Sequence, residues 1–321
     1  MKQKWRILLS LLLSLCFFSG CSASFSDVVI ARIDGEEIMQ SEYMVYLYTT
    51  TKSFVEAAGE DVWNLDFDGM SAEELVQERA FSTIQSVIAA KKYAKENNIS
   101  LTQEQITEAH QSAEEFKAKV SPEDWEKMNV TEKQLQALME ESYLYSVVYD
   151  TLAAECEVNP KEMENYYTEN ADSIREGYTQ ITIDTIMLDD LQTAEEVAAR
   201  AQAGEDFDAL FAAYDVDDAA KESEHGGEMT LYQNYLKIQF GITQPLEVGQ
   251  ITDAVQADTH YFVLKVKAIT PPTEEEVRAQ AEKDYQDMVQ SAYAEERIAS
   301  LIDMQEVEKI PEAWENMESF R

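Results

Sequence analysis

The sequence predicts an α+β protein: a mostly helical lobe formed by both ends of the chain, carrying a small inserted α+β domain. Three observations predict it. Period-2 alternation, the mark of a half-buried strand, is concentrated between about residues 178 and 270, as in Ile181-Thr182-Ile183-Asp184-Thr185-Ile186 and Tyr261-Phe262-Val263-Leu264-Lys265-Val266. Helix-start signals follow one another closely before that stretch. After it, Pro271-Pro272 sets a boundary, and a long amphipathic helix begins that needs an apolar partner.

In chain order, Val28 to Ile33 reads as a strand and Asp34-Gly35 as a turn. Ser41 is the expected cap of a helix carrying Met44, Val45, Leu47 and Tyr48. Asn64, Asp66, Asp68 and Gly69 imitate the start of a calcium loop. The twelfth position is Leu75, which lacks the bidentate carboxylate calcium needs, so a turn is expected instead. Four helix starts follow: Ser71 with Glu74, Thr102 with Gln105, Ser121 before Pro122, and Thr131 with Gln134. Apolar stripes run through Phe81, Ile84, Val87 and Ile88, and through Leu135, Leu138, Tyr145, Val148, Tyr149 and Leu152. Asn159-Pro160 opens a further helix.

The inserted domain opens on the strand at Ile181. Thr193 with Glu196 predicts a capping box, Gly204 a helix end, and Asp206 the cap of a short second helix. An acidic, glycine-containing loop from Asp215 to Gly227 leads to the closing strands. Thr273 with Glu276 then caps a helix to about Ile302. The expected division is 1–20 leader, 21–27 tether, 28–177 helical lobe, 178–270 inserted domain, and 271–321 returning to the lobe.

Lys2, Lys4 and Arg6 precede an apolar run from Ile7 to Phe18, too short to span a bilayer and typical of a signal peptide. Phe18-Ser19-Gly20-Cys21 resembles a bacterial lipobox, which implies cleavage before Cys21, lipidation of its thiol and an extracytoplasmic, membrane-anchored protein. The chain has 63 acidic against 25 basic residues, a net charge of −38, and the leader would remove only basic ones. Such a surface repels nucleic acid and anionic lipid and favours cationic clients. Beyond Cys21 only Cys156 remains, so no internal disulfide is expected. No metalloprotease, nucleophile-elbow or Cys/His metal pattern is present, and no cofactor is called for.

Ala203-Gly204-Glu205-Asp206-Phe207, Ala220-Lys221 with Gly226-Gly227, and the run from Leu246 to Val266 together resemble the parvulin (rotamase) family of peptidyl-prolyl isomerases. The opening strand, turn and helix, and the helical succession after them, resemble the chaperone lobe of PrsA-like and SurA-like foldases. The resemblance implies an extracytoplasmic foldase acting on unfolded or partly folded exported proteins. In the family, two histidines flank a Cys or Asp beside an apolar proline pocket. Here Asp217 falls on the Cys/Asp position. Met229, Ile238 and Phe240 fall on pocket positions. The two histidine positions fall on Thr185 and Phe262. Phe262 has no hydrogen-bonding group and would narrow the pocket, whereas Thr185 could bond Asp217, whose pKa burial would raise. His110, His225 and His260 are expected to be structural. The sequence thus predicts a foldase or chaperone with weak or absent isomerase activity. The alternatives are an active isomerase and, more remotely, a solute-binding lipoprotein.

Overall fold

The computed structural model describes residues 27–314, 317, 319 and 320; the leader, Cys21 and the tether up to Ser26 lie outside the described residues. The chain divides into two units: one takes the residues up to Thr151 and those from Glu295 on, the other Leu152–Ala294.

The first unit begins with an antiparallel hairpin, β1 (Val29–Ile33) and β2 (Glu36–Met39), turned at Asp34-Gly35, where both residues have positive φ. Helix α1 (Gln40–Ala58) follows directly, and its N-cap is Met39, with no side-chain cap. Ser41, the expected cap, lies inside the first turn. Its N–H and hydroxyl both donate to Asp27, at 3.0 and 2.5 Å, so the acid preceding β1 satisfies the helix start from outside. A 3-10 turn (Glu60–Asn64) leads to the short hairpin β3 (Asp66–Phe67) and β4 (Met70–Ser71). Its turn at Asp68-Gly69, both with positive φ, occupies the stretch that imitates a calcium loop.

Helices α2 (Ala72–Asn97), α3 (Gln103–Lys119), α4 (Pro122–Met128) and α5 (Glu132–Ala154) start where the capping signals put them. Ser71 and Thr102 form reciprocal capping boxes with Glu74 and Gln105, and Gln134 and Thr131 bond each other in the same way. Each such cap contributes about 1 kcal/mol.

In the second unit α6 (Pro160–Gly177) runs into β5 (Gln180–Leu188). Helix α7 (Leu191–Gln202) is capped by Asp190, which accepts from Thr193 N–H; an acid three residues upstream does the work expected of Thr193 itself. Then come α8 (Phe207–Tyr214), capped by Asp206, and α9 (Asp218–Glu222). They are followed by β6 (Glu228–Tyr232), α10 (Gln233–Phe240), β7 (Val255–Ala257) and β8 (His260–Thr270). The four strands form one antiparallel sheet in the order β6-β5-β8-β7. Its two faces carry separate cores. Ile186, Leu188 and Val263 pack under α7 and α8, and Ile181, Ile183, Leu264 and Val266 under α10.

Helix α11 (Glu274–Asp303) starts at the expected box of Thr273 and Glu276. Its Val277 and Ala281 are fully buried against Ile174 of α6, and Arg278 pairs with Glu164 at 2.7 Å. That packing is why the compact units divide at 151/152 and 294/295 rather than at 177/178 and 270/271. The last elements, β9 (Val307–Lys309) and α12 (Pro311–Trp314), belong to the first unit. Strand β9 adds to β1, and Trp314 meets the rings of Tyr43 and Phe81 edge-on at 4.9 and 5.6 Å. Phe320 is buried in the same core.

Candidate functional site

The site is built on β5, whose alternation points Thr185 to the same face as Ile181 and Ile183. Thr185 lies opposite Leu264, and Met187 opposite Phe262, so Thr185 and Phe262 are diagonal neighbours on that face. Met229 lies opposite Ile183 and shares it. Helix α10 covers the face with Leu236 and Phe240, and the Phe240 ring meets Phe262 edge-on at 5.3 Å. Thr185, Met229, Phe240 and Phe262 are thus brought to one surface. Ile238 is not: it is 83% exposed, on the outward side of a helix whose inward positions are Leu236 and Phe240.

The Thr185 hydroxyl does not turn to Asp217. It donates to the Gly227 carbonyl at 3.0 Å, which also accepts the Thr185 N–H at 3.0 Å. The close approach requires glycine there, because a Cβ on Gly227 would fall 2.3 Å from the Thr185 carbonyl oxygen. Asp217 is occupied elsewhere. It is the N-cap of α9, and its Oδ1 accepts from Ala219 and Ala220 N–H at 2.9 and 3.2 Å.

The buried acid of the loop is Asp215, 3% exposed, which the sequence does not distinguish from its neighbours. Its two carboxylate oxygens accept from Met187 N–H and Asp217 N–H, each at 2.7 Å, and Val216 N–H donates back to the Met187 carbonyl. Burial raises the Asp215 carboxyl above the ordinary range; the two N–H bonds act against that, and the nearby Asp217 charge adds to it. No local pattern signals this role: Asp215 simply follows the last residue of α8, and its partner is the edge of β5.

Beside β5 a recess of about 380 Å³ is lined by Thr185 itself together with Asp184, Phe207, Phe211, His225 and Lys267, among others. Lys267 bonds Glu228 and lies 3.3 Å from Asp184, which raises its own pKa and lowers that of Glu228. The remaining histidines face carboxylates: His110 bonds Glu140 at 2.6 Å, and His260 lies 3.7 Å from Asp189. Among the described residues no cluster of His, Cys, Asp or Glu is arranged to hold a metal ion, and no helix is long and apolar enough to cross a membrane.

Residues 158–279 match the PPIC-type PPIASE domain family. That range begins two residues before α6 and ends in the first turns of α11, so it takes in the helices packed beside the sheet. The chain is 24% identical to the foldase protein PrsA of Caldanaerobacter subterraneus subsp. tengcongensis, over 97% of this chain and 98% of that one. It is 25% identical to the foldase protein PrsA of Halalkalibacterium halodurans, over 82% and 73% of the two chains. Among solved structures, foldase protein PrsA from Streptococcus pneumoniae aligns with a TM-score of 0.47 and 15% identity, covering 74% of this chain and 92% of that one. The chain therefore carries a PPIC-type, parvulin-like peptidyl-prolyl isomerase domain and is similar along almost its whole length to the PrsA foldases.

Proposed function

We propose that this protein is an extracytoplasmic, lipid-anchored foldase that holds non-native exported polypeptides and isomerises prolyl bonds weakly. Rotation about an X-Pro bond has a barrier of about 20 kcal/mol. Lowering it requires polar groups that favour the twisted amide over the planar one, beside a pocket for the ring. The observation that carries the weak-catalysis reading is the Phe240–Phe262 contact, which puts an aromatic ring at one family histidine position. At the other, the Thr185 hydroxyl is committed to a backbone carbonyl, and Asp217 is committed to capping α9. None of the three is poised to follow charge as an amide twists.

A proline-peptide isomerisation assay tests this. The expected rate is close to the uncatalysed one and unchanged in Asp217→Ala. Turnover like that of an efficient isomerase, lost in that variant, would instead favour the active enzyme. The holding activity is read as suppressed aggregation of a chemically unfolded, basic client at stoichiometric amounts of the intact protein. The anchor is checked by mass spectrometry of the membrane-bound protein, where Cys21→Ala should release it to the soluble fraction.

A further inference from the structure

We propose that the outer edge of β6 is a docking strand for an extended, basic segment of a client polypeptide. This rests on the reading that the protein handles non-native chains. Two bonds bracket β6: Thr185 N–H to the Gly227 carbonyl at 3.0 Å, and Gln233 N–H to the Thr179 carbonyl at 2.9 Å. Both engage odd-numbered residues of this segment. In an antiparallel pair the backbone groups alternate between partner and outside, so those of Thr230 and Tyr232 point away from β5. The side chains agree: Thr182 and Thr230 form a non-hydrogen-bonded pair with their hydroxyls 2.9 Å apart. Strand β6 is outermost in its sheet among the described residues, so the Thr230 N–H and C=O are a template for one more strand.

The other sheet edges are blunted. Strand β2 carries Glu36 and Glu37, β9 carries Glu308 and Lys309, β7 has only 3 residues, and β3 and β4 have 2 each. Strand β6 opens on Glu228, whose carboxylate is held by Lys267 and whose N–H donates to the His225 carbonyl at 3.1 Å; the rest of it, 229–232, is Met-Thr-Leu-Tyr, with no charge, no proline and no bulge against β5, and Met229, Thr230 and Tyr232 are exposed. The strand also leads to a pocket. Tyr232 stands 5.5 Å from Tyr178, ring to ring, and both line a recess of about 430 Å³ with Ile174, Pro271, Pro272 and Val277. An added strand therefore gains backbone bonds along Thr230 and a seat for one apolar or aromatic side chain at its end. A second copy of this chain is disfavoured as the occupant, because each copy carries a net charge of −38; the same charge favours a basic segment.

The test uses the full-length protein and a fluorescent synthetic peptide of alternating Val and Thr with one Tyr and Lys at both ends. A second peptide has the same side chains but N-methyl groups on alternate residues, which block pairing along one edge. We expect the parent peptide to bind, the N-methylated one to bind at least tenfold more weakly, and Thr230→Pro to weaken the parent at least tenfold with circular dichroism unchanged. Equal binding of the two peptides overturns the proposal without reference to any variant. So does a folded Thr230→Pro that binds like the wild type, or a concentration-dependent dimer that Thr230→Pro abolishes. Aggregation suppression, measured in parallel, separates the two readings: its absence overturns the holding function, whereas its survival beside failed peptide discrimination overturns only the edge.

Discussion

In the first unit the carboxyl of Glu42 is buried among the side chains of Glu141, Lys91 and Glu36 and has one backbone hydrogen bond, at Met39. In the second the buried carboxyl of Asp215 accepts two backbone N–H groups. Burial raises both pKa values, Glu42 to about 7. The closure of the two cores differs in the same sense. The first depends on Trp314 and Phe320, which return from the far end of the chain to Tyr43, Tyr48 and Phe81. The second is closed by one continuous stretch, Leu152–Ala294. Asp215 has two backbone donors acting against its burial, whereas Glu42 has one, with two carboxylates and a single cation around it, so the larger shift falls on Glu42.

Tryptophan makes the comparison measurable, because Trp63, Trp125 and Trp314 all belong to the first unit and the sequence has none in 152–294. The largest expected effect is Trp314→Ala. It removes two edge-on ring contacts and the indole N–H bond to the Ile30 carbonyl, destabilising the first unit by about 4 kcal/mol. Urea unfolding of the chain lacking residues 1–20, followed by Trp63 and Trp125, should shift, while amide exchange in β5 and β8 stays put. Equal loss in both would mean that the units do not unfold separately.

The next effect is pH. The folded pKa of Glu42 lies above its ordinary value of 4.5, so the native state holds the proton more tightly between pH 4.5 and about 7. Stability of the first unit therefore falls as pH rises through that window, by up to about 3 kcal/mol, and levels off above it. Asp34, Glu74 and Glu132 have lowered pKa values and act oppositely, losing stability as pH falls below the ordinary carboxylate range. Glu42→Gln should flatten the slope between pH 4.5 and 7 in tryptophan-monitored urea melts. A slope that persists would place its source in another group.

Asp215→Ala comes third. It leaves the Met187 and Asp217 N–H groups without their acceptor, at a cost of about 2 kcal/mol to the second unit. Faster amide exchange should appear at Met187 and along α9, with tryptophan fluorescence unchanged. Because the folded Asp215 pKa is raised, any pH slope it gives the second unit has the same sign as that of Glu42, starting at the ordinary carboxylate value and running upward.

These sites also mark how much was legible in the sequence. Capping boxes at Ser71 and Thr102 are local, set by side chains three residues apart, and they could be read directly. So could the strand alternation that puts Thr185 and Ile183 on one face. Ser41 and Thr193 do not cap because each helix starts before them, so that an acid upstream, Asp27 or Asp190, accepts from the N–H of Ser41 or Thr193 itself. The return of β9 and Trp314 to β1 was not legible in detail, since Arg32 and Glu308 meet across 276 residues with no local signal. Neither was the choice between Asp215 and Asp217, which depends on which acid reaches the free edge of β5 at Met187.

The smallest prediction bears on that edge. Thr185→Val keeps the β-branched shape and the backbone N–H bond to Gly227 and deletes only the hydroxyl's bond to the same carbonyl. The Gly227 oxygen retains one donor, so no buried acceptor is left empty, and the loss should be about 1 kcal/mol or less. Amide exchange in β5 and β6 would rise slightly, and the isomerase rate would not move, since a hydroxyl held by a backbone carbonyl has no part in twisting an amide. A larger loss in the second unit, with a fall in whatever isomerase activity is measured, would mean that Thr185 turns to substrate when a prolyl segment is bound.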